Sequence, residues 1–104
     1  MKASEKKLER GGWKIGTVQE LLGLTDEEAA YVELKLALSR ALRNRRQKHK
    51  VTQVQLAKKI GSSQSRVAKM EAGDPSVSID LLVRSLIALG ATPAAVARSI
   101  RSAK

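Results

Sequence analysis

Residues 51–73 read VTQVQLAKKIGSSQSRVAKMEAG, and they contain the strongest structural signals of the chain. Thr52 and Gln55 have the spacing of a capping box, which predicts a short helix that begins after Thr52 and ends at Gly61. The inward-facing candidates of this helix are Ala57, Ile60 and either Val54 or Leu56. The first half of the stretch is therefore predicted to be a short amphipathic helix followed by a glycine stop.

The second half of the stretch predicts another short helix after a tight turn. Ser62 and Ser63 are typical N-terminal caps and Gly73 is a typical terminator, so this helix is expected over residues 64–72, with Val67 and Met70 facing inward. Two short helices joined by a tight turn are the outline of a helix-turn-helix. The polar side chains that remain outside fit the major groove of DNA, and they are Gln64, Ser65, Arg66 and Lys69.

Flanking helices complete the fold class. A second capping box, Thr25 to Glu28, opens a long helix that runs to about His49. Its predicted core stripe is Tyr31, Leu34, Leu38, Ala41 and Leu42. Further helices are predicted over residues 18–22 and 79–89 and from Pro93 onward. Since no stretch alternates with period two, the fold class is all-α: a five-helix helix-turn-helix domain with a short extra N-terminal helix.

The N-terminal region leaves two interpretations open. Residues 1–12 mix Lys, Glu and Arg without periodicity and are expected to form a flexible basic tail. Residues 13–104 are expected to form one domain, with the motif itself at about residues 40–90. An apolar segment precedes the long helix and comprises Trp13, Ile15, Val18, Leu21, Leu22 and Leu24. This segment either folds back as core or, together with Val32 and Leu36, forms a surface for a partner or a second copy.

The charge of the chain points to a polyanionic partner. The chain has 20 Lys and Arg against 10 Asp and Glu, which gives a net charge of +10 on 104 residues. Between Leu34 and Met70 there are eleven Lys and Arg and no acid. Blocks of one sign commonly mark nucleic-acid contact, although a solvated basic face is the alternative.

The same composition provides few of the residues that enzymes use for catalysis. The chain has no cysteine, and its one histidine, His49, lies at the end of a basic helix, where a positive charge favours the helix dipole. No phosphate-binding glycine loop is present. We therefore expect no catalytic residue, no metal site, no cofactor and no enzyme. With no apolar run long enough for a membrane span and no leader, the expected location is the cytoplasm, on the nucleoid.

Specific residue groups stand at fixed spacings along the motif. They are Thr-Gln at 52–53, Leu-Ala at 56–57, Gly-Ser-Ser-Gln at 61–64 and Glu-x-Gly at 71–73. This combination resembles the xenobiotic-response-element (XRE) family of Cro and phage-repressor type over about residues 40–90. The wider chain, from residues 16–24 through the long helix, is similar to HigA-like antitoxins of bacterial toxin–antitoxin operons. The resemblance implies a phage-repressor-like fold.

The resemblance also implies roles for single residues. Gln53 stands where the family's glutamine bonds a DNA phosphate, beside Thr52, and both position the protein. Gln64 stands where a glutamine reads a base, and its amide can pair with adenine N6 and N7. The whole expected DNA-binding set is Arg43, Arg45, Thr52, Gln53, Ser63, Gln64, Ser65, Arg66, Lys69 and Ser78. Arg46 and Glu71 are expected to form a structural ion pair.

One position departs from the family pattern. Lys50 stands where Gly usually follows the long helix. If this residue is left-handed, Lys costs about 1 kcal/mol relative to Gly.

The resemblance implies a homodimeric repressor of its own double-stranded operator that also neutralises a RelE/HigB-like ribonuclease toxin. The predicted helix over residues 64–72 would be the recognition helix. Two such helices about 34 Å apart, one from each copy, would read a pseudo-palindrome. Dimer contacts are expected after the recognition helix, on Leu82, Leu86, Ile87, Leu89 and residues 92–100. The alternatives are a toxin-neutralising module with secondary DNA binding, a stand-alone phage-type regulator, and a nonspecific architectural binder.

Overall fold

The computed structural model describes residues 20–101, and the regular secondary structure in this range consists of helices joined by turns and loops. The helices are α1 (Asp26–Lys48), α2 (Gln53–Lys59), α3 (Gln64–Ala72), α4 (Ile79–Ala88) and α5 (Pro93–Arg101). Residues 20–22 are helical as well. The predicted all-α class is confirmed. The predicted tail over residues 1–12 and the start of the predicted N-terminal helix lie outside the described residues.

Side-chain caps begin the helices where the sequence predicts them. The Thr25 N–H donates to Glu28 Oε1 at 2.8 Å, and the Glu28 N–H donates to Thr25 Oγ1 at 3.1 Å. Thr52 and Gln55 repeat this reciprocal pair at 2.8 and 3.0 Å. Because each cap satisfies backbone N–H groups that have no partner inside the helix, it contributes about 1 kcal/mol.

The first four helices end in the same way. In each, a left-handed residue lets two successive backbone N–H groups reach back to carbonyls of the last turn, which is the Schellman arrangement. Three helices use Gly61, Gly73 and Gly90, with φ of 66°, 74° and 91°. Helix α1 uses Lys50, with φ of 58°. The position at which the sequence departs from the family pattern is therefore left-handed in this chain as well.

The apolar core lies in the second of two compact units, which begins at Leu34. Each of the five helices contributes to it. The chain has no Phe and only one Trp and one Tyr, so this core is aliphatic. Its completely or almost completely buried apolar side chains are Leu38, Leu42, Leu56, Val67, Met70, Val77, Leu82 and Leu86. Of the two alternatives in α2, Leu56 is the inward residue, since Val54 is 47% exposed.

Three large side chains near the N-terminal end of the described range are exposed to solvent. Tyr31, predicted in the core stripe, is 50% exposed, and that prediction is wrong. It precedes Leu34, where the unit that holds the aliphatic core begins. Leu21 and Leu22 are 74% and 67% exposed, so these two side chains do not serve as core. Trp13, Ile15 and Val18 lie outside the described residues.

The expected dimer contacts on α4 also need correction. Leu82, Leu86 and Leu89 are 0%, 2% and 7% exposed and belong to the core of their own chain. Residues three and four apart share one face of a helix, and here that face points inward. Ile87 is turned away from this face and is 52% exposed, and Ile100 on α5 is 40% exposed.

Candidate nucleic-acid interface

Helices α2 and α3 pack against each other through a short turn over residues 60–63. Ala57 is buried in α2, and Val67 and Met70 are completely buried in α3. A small side chain at position 57 allows the two helices to approach closely, and the two buried residues of α3 hold its opposite side outward. The turn itself uses left-handed Gly61.

The outward side of α3 carries the side chains that were expected there. Gln64, Ser65, Arg66 and Lys69 are all exposed. Ala68 and Ala72 share this exposure, and sequence reasoning overlooked them. The available signal was their spacing, since Ala68 is four residues from Gln64 and Ala72 is four residues from Ala68. Side chains this small let the helix backbone come close to whatever it faces.

A largely buried ion pair fixes the inner side of α3. Arg46 donates through Nε to Glu71 Oε2 and through Nη2 to Glu71 Oε1, the latter at 3.0 Å. Its Nη1 also donates to the Val51 carbonyl at 2.8 Å. The side chains are only 12% and 5% exposed. The hydrogen bond to Glu71 raises the pKa of Arg46 and outweighs burial, which acts in the opposite direction.

Gln53 links this ion pair to the exposed side of α3 through hydrogen bonds. Its Nε2 donates to Glu71 Oε1 at 3.1 Å, and its Oε1 accepts from Gln64 Nε2 at 3.4 Å. A chain of hydrogen bonds therefore runs from Arg46 through Glu71 and Gln53 to Gln64. Gln53 keeps one N–H for a phosphate, and Gln64 keeps one N–H and its carbonyl oxygen for a base. Sequence spacing gave no signal for these contacts, which join residues 18 and 11 positions apart.

The hydroxyl groups of the expected set are helix caps. Thr52 Oγ1 accepts from the Gln55 N–H at 3.0 Å, and Ser63 Oγ accepts from the Arg66 N–H at 3.1 Å. Ser78 Oγ likewise accepts from the Leu81 N–H at 3.1 Å. A hydroxyl that accepts in this way still has its own proton to donate to a phosphate. Each of these three hydroxyl groups lies at a helix N-terminus, where the helix dipole also favours an anion.

The two expected arginines of α1 do not share a surface. Successive helical residues are about 100° apart, so Arg43 and Arg45 are separated by about 200° around the axis. Arg43 is exposed. Arg45 is partly buried and lines a groove between α1 and α5 that includes no residue of α2 or α3.

The loop between α3 and α4 is held by a nearly buried lysine that sequence reasoning missed. Lys35 is 7% exposed, and its Nζ donates to the Pro75 carbonyl at 3.0 Å. Within the loop, Asp74 Oδ1 accepts from the Ser76 hydroxyl at 2.6 Å and from the Ser76 N–H at 2.8 Å. These hydrogen bonds lower the pKa of Asp74. The loop thus leads to the Ser78 cap through defined contacts.

Other kinds of site receive no support from residues 20–101. This range contains no group of three or more His, Cys, Asp or Glu that could hold a metal ion. None of its helices is long and apolar enough to cross a membrane.

Residues 42–96 match the family model described as helix-turn-helix, which covers more than half of the 104-residue chain. No curated protein and no solved structure matches the chain. The matched residues include α2, α3 and α4 together with both partners of the buried ion pair.

Proposed function

This chain belongs to the XRE-type helix-turn-helix family of DNA-binding transcriptional regulators, and from that premise we propose that it is a sequence-specific repressor of operator DNA. The observation that carries the proposal is the exposed side of α3. It holds only uncharged and basic side chains, while the one acid of this helix, Glu71, is turned inward to Arg46. A side without exposed carboxylates can enter a groove bordered by phosphates.

Gln64 is the residue proposed to read a base. Its free carbonyl oxygen and N–H match adenine N6 and N7, and such a pair discriminates by about 1–3 kcal/mol. The hydrogen bond that Gln64 donates to Gln53 restricts the Gln64 side chain before DNA binds. Arg66 and Lys69 reach further out toward guanine or phosphate, and the exposed Ala68 lets the helix approach the bases.

Phosphate contacts are proposed for the N-terminal caps and for Arg43. Thr52, Ser63 and Ser78 each combine a hydroxyl donor with a helix N-terminus. These contacts fix the register of the protein on the duplex without reading its sequence. The net charge of +10 adds a salt-dependent attraction to any DNA.

A homodimer would give the repressor its second half-site. The side chains proposed for the dimer surface are Ile87 and Ile100, which are exposed large hydrophobic residues of α4 and α5. Two copies of α3 about 34 Å apart would then read a pseudo-palindrome over one helical turn.

Fluorescence anisotropy tests the proposal with the chain's own promoter fragment and a scrambled fragment across a salt series. We expect a preference of about a thousandfold or more for the promoter at physiological salt. Equal affinity for both fragments, with a steep loss as salt rises, would instead identify a nonspecific electrostatic binder.

A second candidate function, neutralisation of a RelE/HigB-like toxin, draws support from residues 20–33. This segment contains five acids and no Lys or Arg, the reverse of the basic stretch that follows it. Leu21, Leu22 and Tyr31 are exposed within it. An apolar surface with surrounding carboxylates suits a basic protein partner.

The product of a neighbouring gene tests this second function. We expect a small basic ribonuclease encoded beside this chain to bind it, and the double change Leu21→Ser and Leu22→Ser to weaken that binding while operator affinity stays unchanged. An isolated gene, or binding indifferent to the double change, would leave plain repression as the function.

A further inference from the structure

A groove of about 360 Å³ lies between α1 and α5, away from the helix-turn-helix pair. Its apolar lining consists of Ala37, Ala41, Leu86, Ala91, Ala95 and Val96. Four of these six are alanines, whose short side chains leave the space between the two helices open. The volume falls within the range of about 300–1,000 Å³ that small-molecule sites occupy.

The polar part of the lining is basic. Arg40, Arg45, Lys48 and His49 border the groove, together with the neutral Asn44 and Ser99, and no carboxylate does. Within residues 20–101, the three Arg and Lys side chains form neither a hydrogen bond nor an ion pair. An apolar floor with uncompensated cations at its edge combines two different kinds of attraction in one site.

We propose that this groove binds a small amphiphilic anion, one that has a carboxylate or phosphate group on an apolar body. The apolar body would lie over the partly exposed Ala41 and Val96 and remove their apolar surface from water. The anionic group would meet Arg40 and Lys48 at the edge, where charge attraction is strongest when the apolar part has displaced solvent. A purely ionic ligand lacks the first attraction, and an alkyl cation is repelled by the second.

The occupant would also regulate the proposed DNA binding, and this step rests on the proposed function. Arg45 lines the groove from α1, the same helix that carries Arg43, a proposed phosphate contact. His49 lines it too, immediately before left-handed Lys50 and the Thr52 cap of α2. An anion bound here withdraws positive charge from the surface that attracts DNA, so operator affinity falls.

The binding experiment uses the full chain without DNA, so that it does not depend on the proposed function. Sodium octanoate is titrated while backbone amide shifts are followed by NMR, with acetate and octylammonium as controls. We expect saturable shifts at Ala41, Ala91 and Ala95 with octanoate alone. Equal response to acetate, equal response to octylammonium, or shifts confined to other residues would each overturn the proposal.

Charge variants test the edge of the groove. The double change Arg40→Gln and Lys48→Gln is expected to weaken octanoate binding by about fivefold to tenfold. The matched control is Lys58→Gln with Lys59→Gln, which removes the same charge from exposed positions of α2 outside the groove. Equal weakening by both pairs would show a general effect of net charge and would reject the groove as the site.

The regulatory step has its own readout. Octanoate at saturation is expected to lower operator affinity about tenfold in the unmodified chain and by much less in the double variant at Arg40 and Lys48. Octanoate binding without any change in operator affinity would remove the regulatory step. If the chain bound no DNA at all, the proposed function would fail while the NMR titration still decided the site.

Discussion

The inner and outer sides of α3 carry polar groups that are used in opposite ways. On the inner side, Glu71 is held by Arg46 and Gln53 and is almost completely buried. On the outer side, Ser65, Arg66 and Lys69 are exposed, and their side chains donate no hydrogen bond to any residue in the range 20–101. One helix of nine residues thus joins a structural face to a face that is open to a ligand.

Residue type alone does not separate the structural face of α3 from the open face. Gln53 and Gln64 have the same side chain, and they contact each other. Gln53 is fixed by Glu71, whereas Gln64 has one contact at 3.4 Å and is otherwise exposed. A change on the inner side should therefore reduce stability, and a change on the outer side should reduce DNA affinity alone.

The largest effect is expected from Glu71→Ala. The change leaves the Arg46 guanidinium largely buried without its partner, which typically costs about 3 kcal/mol or more. Urea unfolding followed by circular dichroism measures the loss. The double change Arg46→Leu and Glu71→Leu serves as the control, since it removes both charges and should recover much of the stability. If Glu71→Ala lowered the free energy of unfolding by less than about 1 kcal/mol, solvent would screen the charges of this pair as it does in an exposed salt bridge.

The outer side is tested by Gln64→Ala. We expect operator affinity to fall by about 1–3 kcal/mol, with the free energy of unfolding and the affinity for scrambled DNA almost unchanged. Gln47→Ala is the matched control, because Gln47 is an exposed glutamine on α1 and is not among the residues proposed to contact DNA. Equal losses on operator and scrambled DNA would contradict base reading by Gln64.

Much of this architecture was predictable because its signals are local. Capping boxes and terminal glycines act over three to five residues, so the bounds of α2 and α3 follow from the sequence. The outward set on α3 follows from helical spacing once Val67 and Met70 are assigned inward.

Other features depend on contacts between distant residues. Tyr31 was predicted in the core and Leu82 on a dimer surface, yet Tyr31 is half exposed and Leu82 is completely buried. The bond between Lys35 and Pro75 spans 40 positions. Spacing along one helix cannot show which neighbouring element covers it, and for that reason the burial of Leu82 and the support of the loop before Ser78 were not predictable.

A residue that belongs to neither side of α3 should change stability alone, and Lys50→Gly tests this. Relief of the left-handed strain is expected to raise the free energy of unfolding by about 1 kcal/mol. The reciprocal change, Gly61→Lys, should cost a similar amount, since space around a Cβ at Gly61 is open. Gly73→Ala should cost at least as much, because its φ of 74° is also left-handed and the terminal methyl Leu36 Cδ2, 2.6 Å from the new Cβ, would have to shift. Urea unfolding that shows no gain for Lys50→Gly would contradict the strain.

The smallest effect is expected at Asp74, which follows α3. The Ser76 hydroxyl and N–H, with smaller contributions from Lys69 and Lys35, hold its pKa below the ordinary value of 3.8. The ionised form is therefore favoured by folding. Its stabilising contribution is present above pH 3.8 and is lost as pH falls through the lowered pKa of the folded state. In Asp74→Asn, the amide oxygen still accepts from Ser76 but does not titrate, so urea midpoints should fall less steeply in acid than those of the unmodified chain. If the urea midpoints of the two proteins fell equally steeply in acid, the turn would depend on the acceptor oxygen and not on the charge.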